Sequence, residues 1–327
     1  LGPDSSNEAL GLTGLAEVLA KQNRHAEAEA TAREAVRIAE QATIEQAILR
    51  ARSYRTLAIA LQAVKPAESA DAWAKAIELR RAIVGNQPEV AQLLRRRAAV
   101  LQQLGQFDEA VECCREVLAI SRQRTDAPMA LAMAHTQLAD ALREAGRPAE
   151  AETTLREALT AGHETPDQPL VRFALVEALI DLGKLSDADS EVGELERILA
   201  PNSRPIMRAM TQTARAKLLL AQGDFTAAES QLLETLGQLR WQQHPQARLH
   251  AATVLGQCLI QTNRFDEAEQ HLLRVERLSY RYNVRPDDVR RLLKILVNLY
   301  SALNKPEEAD RWRQRLQQTQ VSVDDNQ

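Results

Sequence analysis

The feature that most constrains this chain is a six-residue signature that recurs eight times along its 327 residues. It reads NRHAEA from Asn23, KPAESA from Lys65, GQFDEA from Gly105, GRPAEA from Gly146, GKLSDA from Gly183, GDFTAA from Gly223, NRFDEA from Asn263 and NKPEEA from Asn304. Successive copies start 42, 40, 41, 37, 40, 40 and 41 residues apart, and each closes on alanine: Ala28, Ala70, Ala110, Ala151, Ala188, Ala228, Ala268 and Ala309. A fixed period of this length marks an array of supersecondary units, each burying its apolar face by stacking on its neighbours.

The residues ahead of each signature describe one helix face. Four positions before it stand Leu19, Leu61, Leu101, Leu142, Leu179, Leu219, Leu259 and, out of pattern, Tyr300. Seven before it stand Ala16, Ala58, Ala98, Ala139, Val176, Ala216, Gly256 and Val297. Eight before it, Leu15, Leu57, Leu138, Leu175, Leu255 and Leu296 alternate with two exceptions, Arg97 and Arg215. Offsets of three, four and seven place large and small residues together on a helix. Glycine or asparagine then opens the signature, because a helix ends most readily on a left-handed residue. Lys65 departs from this, and Pro66 is expected to end the helix there instead. The third position, often Phe or Pro, fills the corner. Carboxylates such as Asp108, Glu109, Asp266 and Glu267 suit the first turn of a second helix. The closing alanine marks the closest helix crossing. Each repeat is therefore a first and a second helix in antiparallel arrangement, expected near 8–22 with 25–40 through to 286–303 with 306–318.

Small-large pairing, a Gly turn, an aromatic residue and a closing Ala resemble the tetratricopeptide pattern, in a form whose period is near 40 rather than 34 residues. This longer form resembles the repeats of kinesin light chain and of many bacterial regulators. The resemblance implies an all-α, right-handed superhelical solenoid of eight antiparallel helix pairs, one domain over 1–316, with turns near 23, 65, 105, 146, 183, 223, 263 and 304. A polar tail over 317–327 follows. Leu1-Gly2-Pro3-Asp4 looks like the segment between two repeats of that family, as though a longer array had been cut there. By analogy the chain is expected to be a protein–protein interaction scaffold in the cytoplasm. The alternatives are the regulatory region of a larger enzyme, such as a bacterial serine/threonine kinase, or the ligand-sensing domain of a regulator.

Composition narrows the chemistry. Aromatic residues make up 3%, and 41 Lys+Arg against 45 Asp+Glu leave a net charge of -4, so no global basic bias points to nucleic acid. No apolar run is long enough for a membrane span. The sequence contains no glycine-rich phosphate loop, no HExxH and no GxSxG. Its six histidines lack a paired Cys or carboxylate at ligand spacing, so no metal, cofactor or catalytic residue is expected. Cys113, Cys114 and Cys258 form no disulfide framework, and Cys114 falls on a core position. Trp73, Trp241 and Trp312 are expected on second helices, in packing roles. Arg97 and Arg215 are expected to lay their stems on apolar neighbours and reach a carboxylate at a repeat junction. Tyr300, Val297 and Arg313 suit a terminal repeat that faces water.

Binding is expected on the concave face, which first helices line in this fold. By register that face carries Arg52, Arg55 and Arg95 toward the N-terminus, then Asp140, Glu144, Phe173, Glu177 and Asp181. Lys217, His250, Arg291 and Lys294 follow. Arg52 and Arg55 lie three apart on one helix, and Arg95 repeats Arg55's register. Glu17 is the nearest carboxylate, so the patch is expected to escape local neutralisation and to attract an acidic protein or peptide segment.

Overall fold

In the computed structural model, residues 3–41, 47–123, 127–161, 168–198, 205–284 and 286–318 are described. Among them there are sixteen helices and no strand. They divide between two compact units, one ending at Arg147 and the other starting at Pro148. The first contains α1 (Pro3–Lys21), α2 (His25–Glu40), α3 (Ala47–Leu61), α4 (Pro66–Val84), α5 (Pro88–Gln103), α6 (Phe107–Arg122) and α7 (Pro128–Glu144). The second contains α8 (Pro148–Ala161), α9 (Gln168–Asp181), α10 (Leu185–Ile198), α11 (Pro205–Gln222) and α12 (Phe225–Gln238). It continues with α13 (Pro245–Gln261), α14 (Phe265–Arg281), α15 (Pro286–Ala302) and α16 (Pro306–Gln318). Nine of these helices begin on proline, whose fixed φ and missing N–H suit the first helical position. Leu1, Gly2 and 319–327 lie outside the described residues, and α16 runs two residues past Leu316.

The turns follow from the signature. Asn23, Asn263 and Asn304 have φ of 58°, 58° and 56°, and Gly105, Gly146, Gly183 and Gly223 have 74°, 72°, 69° and 83°. The next residue donates its amide to the carbonyl of the leucine four before the signature: Arg24 to Leu19 at 3.0 Å, and Gln106 to Leu101, Lys184 to Leu179 and Arg264 to Leu259 at 2.9 Å. These six-to-one bonds satisfy carbonyls that the helix end leaves open. At Lys65 no left-handed residue is available. There α3 stops at Leu61, whose carbonyl accepts from both Val64 N (3.1 Å) and Lys65 N (2.8 Å) before α4 starts at Pro66.

Packing bears out the small-residue rule. The closing alanines are at most 5% exposed, Ala28, Ala110, Ala151, Ala188, Ala228 and Ala268 entirely buried. Within each unit α1 packs on α2, α3 on α4 and α5 on α6, as α9 does on α10, α11 on α12, α13 on α14 and α15 on α16. Each second helix then meets the next first helix, α2 on α3 and α12 on α13 for example. In the second unit the first helices also touch each other directly, α9 on α11, α11 on α13 and α13 on α15, which makes them a continuous layer. In α1, Val18 is 50% exposed, whereas its register equivalents Ala60, Val100, Ala141, Ala178, Leu218, Cys258 and Leu299 are all within 1% of full burial.

A further device ties repeat to repeat. The residue after the closing alanine is repeatedly Glu, and it accepts from the following repeat: Glu29 from Lys65, Glu152 from Lys184 and Glu229 from Arg264, each at 2.7 Å. Glu269 accepts the Tyr300 hydroxyl at 2.7 Å. Tyr300 is thus not turned to water as expected of a terminal residue. It is 5% exposed and stacked on Trp312 at 6.4 Å between centroids, a large ring closing the final core where leucine would leave space.

Candidate partner-binding surface

The first helices leave a set of charged and polar side chains at their surface. In the first unit, Arg52 on α3 is exposed. One turn on, Arg55 Nη2 meets Glu17 Oε1 of α1 at 2.7 Å, and the same oxygen accepts Thr56 Oγ1 at 3.1 Å. This corrects the expectation of an un-neutralised patch: the stagger of adjacent helices brings Glu17 within bonding distance of Arg55. The Arg55 and Glu17 side chains remain 41% and 29% exposed, and a pair this open contributes under about 1 kcal/mol.

Arg95 on α5 is half-buried and donates Nε to Gln137 Oε1 on α7 at 2.9 Å. Burial pulls its guanidinium below the usual range, yet an arginine stays charged at any physiological pH. Farther along α7, Asp140 lies 3.5 Å from Arg143, and Glu144 is exposed at the helix end. Arg55 and Arg95 are each tied to an adjacent first helix, while Arg52 has no such tie among the contacts described.

The second unit carries its own polar set. Glu177 on α9 pairs with Lys217 on α11, and both side chains are about one-fifth exposed, at 18% and 21%. His250 on α13 places Nε2 4.0 Å from Glu177 Oε1, with no hydrogen-bond partner on that nitrogen. Burial first, then the positive charge of Lys217, holds the imidazole well below its usual pKa; Glu177 opposes this and Arg291 on α15 adds to it. The ring is therefore neutral at pH 7, and four consecutive first helices contribute to its surroundings. Phe173 on α9 is half-buried and Asp181 is exposed at that helix's end.

Other candidates are structural. Cys113 and Cys114 are 2% and 6% exposed, and burial raises both thiols, Cys114 to about 12, so neither is a reactive thiolate. Trp73 is buried on α4 and Trp312 lies on α16. Trp241 is not on a second helix. It sits between α12 and α13, stacked on Tyr282 at 5.7 Å with the Arg248 guanidinium 5.8 Å above its ring. The ring's use is in the connection, which helix periodicity does not report. Among the described residues no helix is long and apolar enough to cross a membrane.

Paired antiparallel helices, left-handed turns at a fixed spacing and a first-helix layer rich in polar side chains define an all-α repeat protein of the interaction-scaffold kind. Tetratricopeptide repeat models match residues 9–34, 89–162, 136–203 and 219–278. The chain belongs to the tetratricopeptide repeat family. A tetratricopeptide repeat protein from Parabacteroides merdae is similar in structure, with a TM-score of 0.57 at 14% identity over 88% of this chain and 98% of that one. The Rap protein complexed with Competence and Sporulation Factor gives 0.51 at 13% identity over 97% and 99%. Nearly identical TPR-like repeats assigned to a Podosopora anserina kinesin light chain give 0.49 at 20% identity over 65% and 97%. At these identities the likeness concerns the fold. No curated protein sequence matches the chain.

Proposed function

We propose that this chain binds a segment of a partner protein along its first-helix surface, and that the stretch formed by Arg52, Arg55 and Arg95 takes an acidic segment. The observation that carries the reading is the way the two inner arginines are held. Arg55 and Arg95 are tethered to Glu17 and Gln137 of adjacent first helices, so their stems are fixed before a partner arrives. Gln137 engages only Nε of Arg95 among the bonds described, which leaves its Nη edge for a carboxylate. Pre-ordered arginines lose less side-chain entropy on binding than free ones. Asp140 and Glu144 continue the surface with the opposite charge. Phe173, Glu177 and Asp181 offer a comparable apolar and acidic stretch in the second unit. The Rap protein, similar in fold, was crystallised with Competence and Sporulation Factor, an example of this architecture holding a partner.

A random-peptide selection against the intact chain tests the reading. Selected peptides should be enriched in Asp and Glu, and their binding should fall at least about tenfold in the Arg52→Glu, Arg95→Glu double variant. Peptides without acidic enrichment, or binding that ignores the double variant, would overturn it.

A further inference from the structure

The junction between α4 and α5 differs from the other repeat junctions. In most repeats a leucine eight positions before the signature seals the contact with the preceding second helix: Leu57, Leu138, Leu175, Leu255 and Leu296 are all at most 7% exposed. Arg97 and Arg215 replace it, and the two have opposite fates. Arg215 is saturated. Its Nε and Nη2 donate to Glu196 at 3.1 and 2.9 Å, and Nη1 pairs with Asp189, both carboxylates lying on the preceding second helix. That matches the expected reach across a junction.

Arg97 does not cross. Its Nη2 lies 3.5 Å from Glu109 on α6 of its own repeat, its Nη1 lies 3.9 Å from the Cys113 sulfur, and its buried Nε has no partner. On the α4 side lies a crevice of about 440 Å³, lined by the apolar Ala74, Ile77, Ala82 and Leu94 and by two side chains of each charge, Arg81 and Arg97 with Glu78 and Glu116. The Arg81 Nε is also buried without a partner, while its Nη2 pairs with Glu116 at the rim.

We propose that this crevice binds a small amphiphilic carboxylate, such as a short-chain fatty acid, with its head on the Arg97 guanidinium and its tail on Ile77 and Leu94. The size is that of a small-ligand pocket. An apolar floor beneath two guanidiniums supplies tail burial and a charge-assisted bidentate head site. Glu116 and Glu78 disfavour an anion, but Arg81 already neutralises the first and Lys75, at 3.0 and 2.9 Å, the second, while Arg97's own carboxylate contact is longer than a normal hydrogen bond. In the register of Arg97, Leu57, Leu138, Leu175, Leu255 and Leu296 are buried and Arg215 is saturated.

Isothermal titration of the full chain with hexanoate tests this, with hexanol and inorganic phosphate as probes of tail and head alone. Hexanoate should bind more tightly than either. Arg97→Leu restores the sealing residue and should weaken hexanoate at least about tenfold, as loss of a charge-assisted hydrogen-bonded head predicts. Ala74→Leu fills the floor, keeps both arginines, and should weaken it comparably. Arg215→Leu, at the same register in another repeat, should bind as the unaltered chain does. Circular dichroism of each variant should be unchanged. Binding no tighter than phosphate's, no detectable binding at millimolar hexanoate, or binding that survives Ala74→Leu would each overturn the assignment.

Discussion

Gly256 stands where the other repeats carry alanine or valine, and Leu272 occupies the space its missing Cβ leaves. A Cβ built there would lie 2.3 Å from Leu272 Cδ2 and 2.8 Å from its Cγ, with Leu272 itself entirely buried. Alanine favours a helix over glycine by about 1 kcal/mol, but the overlap forces a packed leucine from its place. Gly256→Ala is therefore expected to destabilise the chain by about 1–3 kcal/mol in urea unfolding, against the direction of helix propensity. Tyr300 gives a second residue-level prediction. Burial and the hydrogen bond to Glu269 raise its hydroxyl from 10.0 to about 12. A proton held more tightly when folded stabilises the fold fully below pH 10, and that contribution fades as pH rises toward 12. Unaltered protein should lose more stability than Tyr300→Phe between about pH 8 and about pH 11. Equal losses would show that the hydroxyl is not so held. Arg215→Leu exchanges partly exposed ion pairs, whose carboxylates are 56% and 49% exposed, for apolar burial. Its melting temperature should correspond to a change within about 1 kcal/mol.

At the scale of the helix pair, the turn residue and the closing alanine carry most of the specification. Gly183 has φ of 69° with open space around it, so Gly183→Ala adds backbone strain without a clash and should cost about 1–2 kcal/mol. The sixteen helices are legible in the signature itself, since Gly, Asn, Pro and Ala act locally and leave their marks in single positions. What stayed hidden depends on how one helix is staggered against the next. Register alone put Glu17 near Arg55, but only the stagger of α1 on α3 brings them to 2.7 Å. The Glu that follows four of the closing alanines carries no local sign of its role, because its partner in the following repeat lies some 31 to 36 residues away in sequence. Arg97 and Arg215 share a register, and α4 offers Asp71 and Glu78 where α10 offers Asp189 and Glu196, yet Glu78 is held by Lys75 and Arg97 turns to Glu109 instead. Lys65 shows the limit from the other side: its turn is made without a left-handed residue and, at four residues, is the longest of the within-repeat turns.

For the whole molecule, the proposed binding surface belongs to the first helices, which also carry much of the core: α13 holds ten buried residues against five in α14, and α11 seven against three in α12. Family membership accounts for the scaffold; the side chains on that surface set what it binds. If Arg52, Arg55 and Arg95 select acidic segments as proposed, raised salt should weaken that binding as screening shortens its reach. Peptide-induced protection from hydrogen exchange, followed helix by helix on the intact chain with a selected acidic peptide, tests the central claim most directly. The account predicts slowed exchange in α3 and α5, around Arg52, Arg55 and Arg95, with α2, α4 and α6 unchanged. Protection confined to those second helices would contradict it.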